Sequence, residues 1–197
     1  MKTQLQNLCT FSAGLPNSKI DKATEADKAT TFLVPGSAIG GLGEILTSEL
    51  QPVLEKEGID YSNHYIQAGD VLLLSRGTSV RAGLVDETLA EQLLLVSTTI
   101  TVIRPDKTKL LGETLVTFFN SEIGQNSLMA LQKGSVISSL PLKDLKELEV
   151  DIPDIATQEQ IQELYHASIA AYQDTIAMAE QQKRAATIVM LKMMQGA

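Results

Sequence analysis

The side chains able to do chemistry in this chain are few, and their spacing does not suit catalysis. His64 and His166 lie in different halves of the sequence, and the single cysteine, Cys9, cannot join both in a metal set of known ligand spacing. His166 sits beside Tyr165 in a long helical stretch, where a solvated or seam-edge position accounts for it. No Gly-x-Ser-x-Gly elbow presents a nucleophilic serine. The carboxylates Asp86-Glu87, and Asp151 with Asp154, flank turns and a strand end, where solvated charge accounts for them. The run Gly36-Ser37-Ala38-Ile39-Gly40-Gly41-Leu42-Gly43 invites a phosphate-cradling reading, but Leu46 stands where the dinucleotide fingerprint needs its third glycine. Lys133-Gly134-Ser135 has Lys and Gly in the wrong order for a P-loop. Nothing nominates a general acid–base pair, so the chain is expected to be no enzyme and to hold no metal or cofactor.

Charge narrows the partners. The net charge is −8, and residues 1–154 hold 13 Lys+Arg against 20 Asp+Glu. That balance opposes tight non-specific binding to nucleic acid, which depends on neutralising phosphates. The distribution is uneven, however. Between Asp70 and Asp86 the only charges are Arg76 and Arg81, and between Glu122 and Asp144 they are Lys133 and Lys143. Acidic residues gather at 44–60 and 144–154.

The elements that must position these residues read as strands first and helices later. Residues 31–34 form a short strand closed by Pro35-Gly36, residues 47–56 a short helix, and Val71-Leu72-Leu73-Leu74 a buried strand. Ser75-Arg76-Gly77-Thr78-Ser79 is a polar loop leading to a strand at 80–85. Residues 93–103 alternate β-branched side chains as a strand does. Residues 110–119 and 122–131 are two helices broken at Asn120-Ser121, and a helical turn at 143–147 precedes a strand at 148–152. This order predicts an α+β domain with a mixed or antiparallel sheet and short helices, about 150 residues long, followed by a rod.

The rod carries a seam. Residues 157–195 contain neither Pro nor Gly, and Thr157 with Gln160 suits a capping box. Tyr165, Ile169, Tyr172, Ile176, Ala179, Lys183, Ala186, Met190 and Met193 step alternately by four and three, and eight of the nine are apolar. That is the narrow stripe of a coiled coil, and it implies a partner helix. No window approaches the ~18 apolar residues of a membrane span, and the N-terminus lacks an export-type apolar core. With one cysteine, buried near Leu8 and Phe11, a reducing cytoplasm and no membrane are expected.

Three segments in order carry a family resemblance. Gly69-Asp70-Val71-Leu72-Leu73-Leu74-Ser75-Arg76-Gly77 resembles the strand and loop of target recognition domains in type I restriction–modification specificity subunits. Asn120-Ser121-Glu122-Ile123-Gly124-Gln125 resembles a second segment of that family, followed by the Gly134-Ser135 loop and Val150-Asp151-Ile152-Pro153. Thr157-Gln158-Glu159-Gln160-Gln162 is similar to the start of the family's long helix, so the resemblance covers about residues 60–195.

The resemblance implies a half-subunit, with a target recognition domain at 1–154 and one long coiled-coil helix at 155–197. Two copies would pair antiparallel through the seam and rebuild a two-domain arrangement. Double-stranded DNA would be read without catalysis, and a methyltransferase subunit would dock on the helix, with a restriction subunit as a further partner of the complex. No Asn-Pro-Pro-Tyr or Asp-Pro-Pro-Tyr methyltransferase motif is present. The DNA contacts implied are Arg76, Thr78, Ser79 and Arg81 in one loop and Lys133, Ser135, Ser138 and Ser139 in the other. Arg bridges guanine acceptors or phosphate, and Ser and Thr hydroxyls reach either. The alternative is an assembly scaffold with little DNA affinity of its own, which the acidity favours.

Overall fold

The computed structural model describes residues 2–23, 29–77, 79–132 and 138–195, with Ser138 described by its backbone alone. Strands β1 (Lys2–Gln4), β2 (Cys9–Ala13), β3 (Ile20–Lys22), β4 (Thr31–Val34) and β5 (Gln51–Glu55) open the chain. They are followed by β6 (Val71–Leu74), β7 (Arg76–Gly77), β8 (Ala82–Leu84), the short helix α1 (Glu87–Ala90), β9 (Leu95–Val96) and β10 (Ile100–Pro105). Helices α2 (Gly112–Asn120) and α3 (Glu122–Leu131) come next, then β11 (Ser138–Ser139), α4 (Leu142–Glu147), β12 (Glu149–Asp151) and α5 (Ile155–Met194). The chain is thus α+β with mixed and antiparallel sheets and a long C-terminal helix.

Two four-stranded sheets form the frame, in the orders β2-β10-β6-β8 and β3-β5-β4-β9. The first is antiparallel throughout, while β4 and β9 run parallel in the second. Val71, Leu72 and Leu73 of β6 are all fully buried, which explains a strand with no alternation. One face of that sheet meets a cluster including Val34, Ile39, Val96 and Ile100, and α2 packs against β6 and β8. With both faces covered, every side chain of the strand gains from burial, about 2 kcal/mol for each large aliphatic. Leu15, Leu33, Val53, Tyr61 and Leu95 form a second cluster on the β3-β5-β4-β9 sheet. Cys9 is buried as expected, and burial, together with the charge of Asp106, pushes its thiol up to about 12.

Three expectations are corrected. Residues 47–56 are not a helix: a 3-10 turn at Thr47–Glu49 leads into β5. Pro52 stands inside that stretch, and its ring both lacks an N–H and pushes Gln51 toward extended backbone. Residues 93–103 are not one strand, because Leu93 adopts φ +52 and Ile100 N–H closes a turn onto the Ser97 carbonyl at 3.0 Å. The long helix is capped by Asp154 rather than Thr157. The Asp154 Oδ1 atom accepts the Thr157 N–H at 2.8 Å, and this bond holds its carboxyl below the usual carboxylate range. Asp is among the best N-cap residues, and Pro153-Asp154 before the helical run carries that signal.

The chain divides into two compact units, Met1–Gln162 and Glu163–Ala197. The first turns of α5 therefore belong to the globular unit. There Gln158 is only 1% exposed: its Nε2 donates to the Lys109 and Pro153 carbonyls at 3.0 Å each, and its Oε1 accepts the Leu111 N–H at 2.9 Å. One glutamine so ties the root of α5 to the residue that caps α2. Gln162 adds a 2.8 Å bond from Nε2 to Glu113. In the second unit every residue from 170 to 195 is exposed, the seam residues Tyr172, Ile176, Ala179, Lys183, Ala186, Met190 and Met193 among them. Ile188, Val189 and Leu191 are exposed apolar residues off that seam. Among the described residues, no helix is long and apolar enough to cross a membrane.

Candidate nucleic-acid interface

The candidate interface is built where β6 runs out. Ser75 turns inward at its end: its N–H donates to the Thr99 carbonyl at 2.9 Å, and its hydroxyl accepts from Thr101 at 2.9 Å. The chain then leaves the sheet as β7, whose two residues pair antiparallel with β11 in the register Ser138 opposite Gly77 and Ser139 opposite Arg76. Leu140 N–H donates to the Ser75 carbonyl at 2.9 Å, and its buried side chain pins the second loop beside the first. Two loops far apart in sequence are thereby one surface, with Arg76 exposed on it.

Arg81 is also exposed, and its guanidinium reaches back to the Ile39 carbonyl at 3.4 Å and the Ser79 hydroxyl at 3.5 Å. Both contacts are long, so little holds the group from a ligand. Arg76 is thus brought to Ser139, and Arg81 to Ser79. Thr78, Lys133 and Ser135 lie outside the described residues, as does the side chain of Ser138.

At the opposite end of β6 lies a polar pair that residue types alone did not disclose. Asp70 is 1% exposed and takes Arg104 in a two-pronged pair, Nε to Oδ1 at 2.7 Å and Nη2 to Oδ2 at 2.8 Å. These bonds, first of all, push the guanidinium further above its ordinary value. The Gln67 N–H also donates to Asp70 at 2.8 Å. The preceding Gly69 has φ +88, a left-handed conformation that suits glycine and turns the chain into β6.

Asn120 does a comparable job at the sheet edge. Its Oδ1 accepts the Ala82 N–H at 3.0 Å, and its Nδ2 donates to the Ala82 carbonyl at 2.8 Å. A side chain here replaces a neighbouring strand. Ser121 caps α3 through the Gly124 N–H at 3.1 Å, and Gln125 donates to the Phe119 carbonyl at 2.6 Å. A Cβ on Gly124 would stand 1.9 Å from the Phe118 carbonyl oxygen, so the α2–α3 corner admits only glycine there. The segments around Asp70, Asn120 and Gln158 therefore hold the scaffold, while Arg76 and Arg81 are exposed donors. Among the described residues, no group of three or more His, Cys, Asp or Glu side chains is placed to hold a metal.

The fold is similar to that of the HsdS subunit from Thermoanaerobacter tengcongensis, with a TM-score of 0.60 and 19% identity over 93% of this chain. It is also similar to a chain from a structural study of complex assembly and conformational transition of the type I R-M system, with a TM-score of 0.58 and 18% identity over 94% of this chain. In each case this chain spans 45% of the length of the other. No curated protein matches it. At such identities the two likenesses establish the fold alone. The model of the type I restriction modification DNA specificity domain matches residues 15–183, the loops, the α2–α3 corner and most of α5 together, and the chain belongs to that family.

Proposed function

We propose that this chain is a non-catalytic DNA sequence-recognition subunit of a type I restriction–modification methyltransferase complex, acting as a homodimeric half-subunit. One observation carries the reading: β7 and β11 join two separate loops into one surface that bears the exposed Arg76. Arg76 has the donors for base edges and phosphates alike. A half-subunit would span about 45% of the HsdS subunit and of the type I R-M chain, as this chain does, and two copies pairing antiparallel through the seam would rebuild a two-domain arrangement. Ile188, Val189 and Leu191, off the seam, leave apolar area on the same helix for a methyltransferase subunit. A restriction subunit would join through that complex.

Replacing Arg76 or Arg81 by Ala should weaken specific DNA binding by ~1–3 kcal/mol each in the assembled complex. Unchanged affinity and salt slope in the double variant would remove this surface from the interface. The net charge of −8 favours a second reading, an assembly scaffold with little DNA affinity. A salt titration of DNA binding, with and without the methyltransferase subunit, separates the two. DNA dependence that appears in neither arm would select the scaffold.

A further inference from the structure

We infer that the turn Ser97-Thr98-Thr99 is a phosphate-contacting part of the DNA interface, holding the backbone of duplex DNA with neutral hydroxyls rather than cationic side chains. The inference rests on the recognition reading above and adds a segment to it. Its first ground is position: the Thr99 carbonyl accepts the N–H groups of Ser75 at 2.9 Å and Arg76 at 3.3 Å, so the turn is bonded directly to the strand that presents Arg76. Its second ground is rigidity. Ser97 N–H donates to the Val34 carbonyl at 3.1 Å, Ile100 N–H closes the turn at 3.0 Å, and a Cβ on Gly14 would stand 1.9 Å from the Ser97 carbonyl oxygen. A turn held from three sides loses little conformational freedom when it binds.

The third ground is chemistry. Ser97, Thr98 and Thr99 are all partly exposed, and residues 93–103 include no charged side chain. The Ser97 and Thr99 hydroxyls are 2.7 Å apart, so one hydrogen serves the pair and the other remains for an external acceptor. Ser and Thr hydroxyls are regular donors to phosphate oxygens. Because they carry no charge, they displace no counterion, and the salt dependence of binding does not register them. A chain with a net charge of −8 can thus position DNA without a basic face.

The test uses the full chain, alone and with its methyltransferase subunit, and a duplex selected from a random-sequence pool, titrated at about 50 and 200 mM salt. Thr98→Val with Thr99→Val keeps the side-chain shape and removes two hydroxyls. Binding about tenfold weaker at both salts, with an unchanged slope, is the expected result. Thr98→Ser with Thr99→Ser should bind as the parent does, which separates a lost hydroxyl from a damaged fold. In a parallel arm Arg76→Ala should lower the slope by about one. Parent-like binding by the Val variant, while Arg76→Ala weakens it, would overturn the inference and leave the recognition reading standing. A changed slope, or selection of different duplexes, would also overturn it, because neutral phosphate contacts alter neither. If no duplex is selected either by the chain or by its complex with the methyltransferase subunit, the recognition reading falls and this inference with it. A scan of single methylphosphonate linkages gives a second measurement: one linkage should weaken the parent and not the Val variant.

Discussion

Large apolar side chains meet different fates in the two units. In Met1–Gln162, Leu72, Ile100 and Phe119 are closed away between sheets and helices, and buried polar groups such as Asp70 and Gln158 have partners for their hydrogen bonds. In Glu163–Ala197, Ile176 is 42% exposed and Met193 75%. Helix α5 belongs to both units, so the same element is finished at its root and unfinished along the rest. The first unit draws its stability from its own contacts. The second has a helix whose apolar stripe gains nothing until another surface covers it. If the exposed stripe is the proposed seam, folding and assembly should be separable, and substitutions should affect one without the other.

The largest effect should come from breaking the seam. Ile169→Asp with Ile176→Asp would place four carboxylates in a paired interface, costing roughly 5 kcal/mol or more of association. The expected outcome is a folded monomer by sedimentation, with the unfolding of the globular unit shifted by less than ~0.5 kcal/mol. A parent chain that is already monomeric at high micromolar concentration, with no methyltransferase present, would sink the half-subunit dimer.

The opposite substitution acts on the finished unit. Asp70→Ala removes the buried partner of Arg104, whose side chain is 38% exposed and can partly recover water. A loss of about 3 kcal/mol, at the low end for breaking a buried pair, should appear in urea unfolding, with self-association unchanged. Equal losses of stability and association would join the two properties that this proposal separates.

The smallest effect sharpens the comparison by pH. Bonds from the Thr108 hydroxyl and from Lys109 hold the Asp106 carboxyl down at about 2, against an ordinary 3.8. A depressed carboxylate stabilises the folded state above its unfolded pKa, and that contribution fades as pH falls through the folded value. Asp106→Asn should therefore be less stable than the parent above about pH 4, with the gap closing toward pH 2. A gap that widens on acidification would contradict the assignment.

Much of the frame was legible in the residues. The buried strand at Val71–Leu74 was plain because it is an unbroken apolar run, and Asn120-Ser121 marked the break between α2 and α3. The helix-like composition of residues 47–56 conceals β5, and Pro52 is the residue that decides for the strand. The support within the unit was harder to see. Glutamine is usually a surface residue, so nothing local announced that Gln158 is buried with every hydrogen-bonding atom engaged. The pairing of β7 with β11 is a contact between distant loops, and no sequence period encodes it. Loop composition nominated Arg76 and Ser139, but only the fold makes them neighbours.

The Asn120 side chain has one more consequence. Strand β8 ends its sheet, and such an edge is a ready template for another chain to pair with. Its two outward N–H groups are already committed, Ala82 to Asn120 and Leu84 to the Gly43 carbonyl at 2.9 Å. An incoming strand finds no row of donors there. This margin of the sheet is thus closed to edge-to-edge aggregation, whatever surface comes to cover the exposed apolar residues of α5.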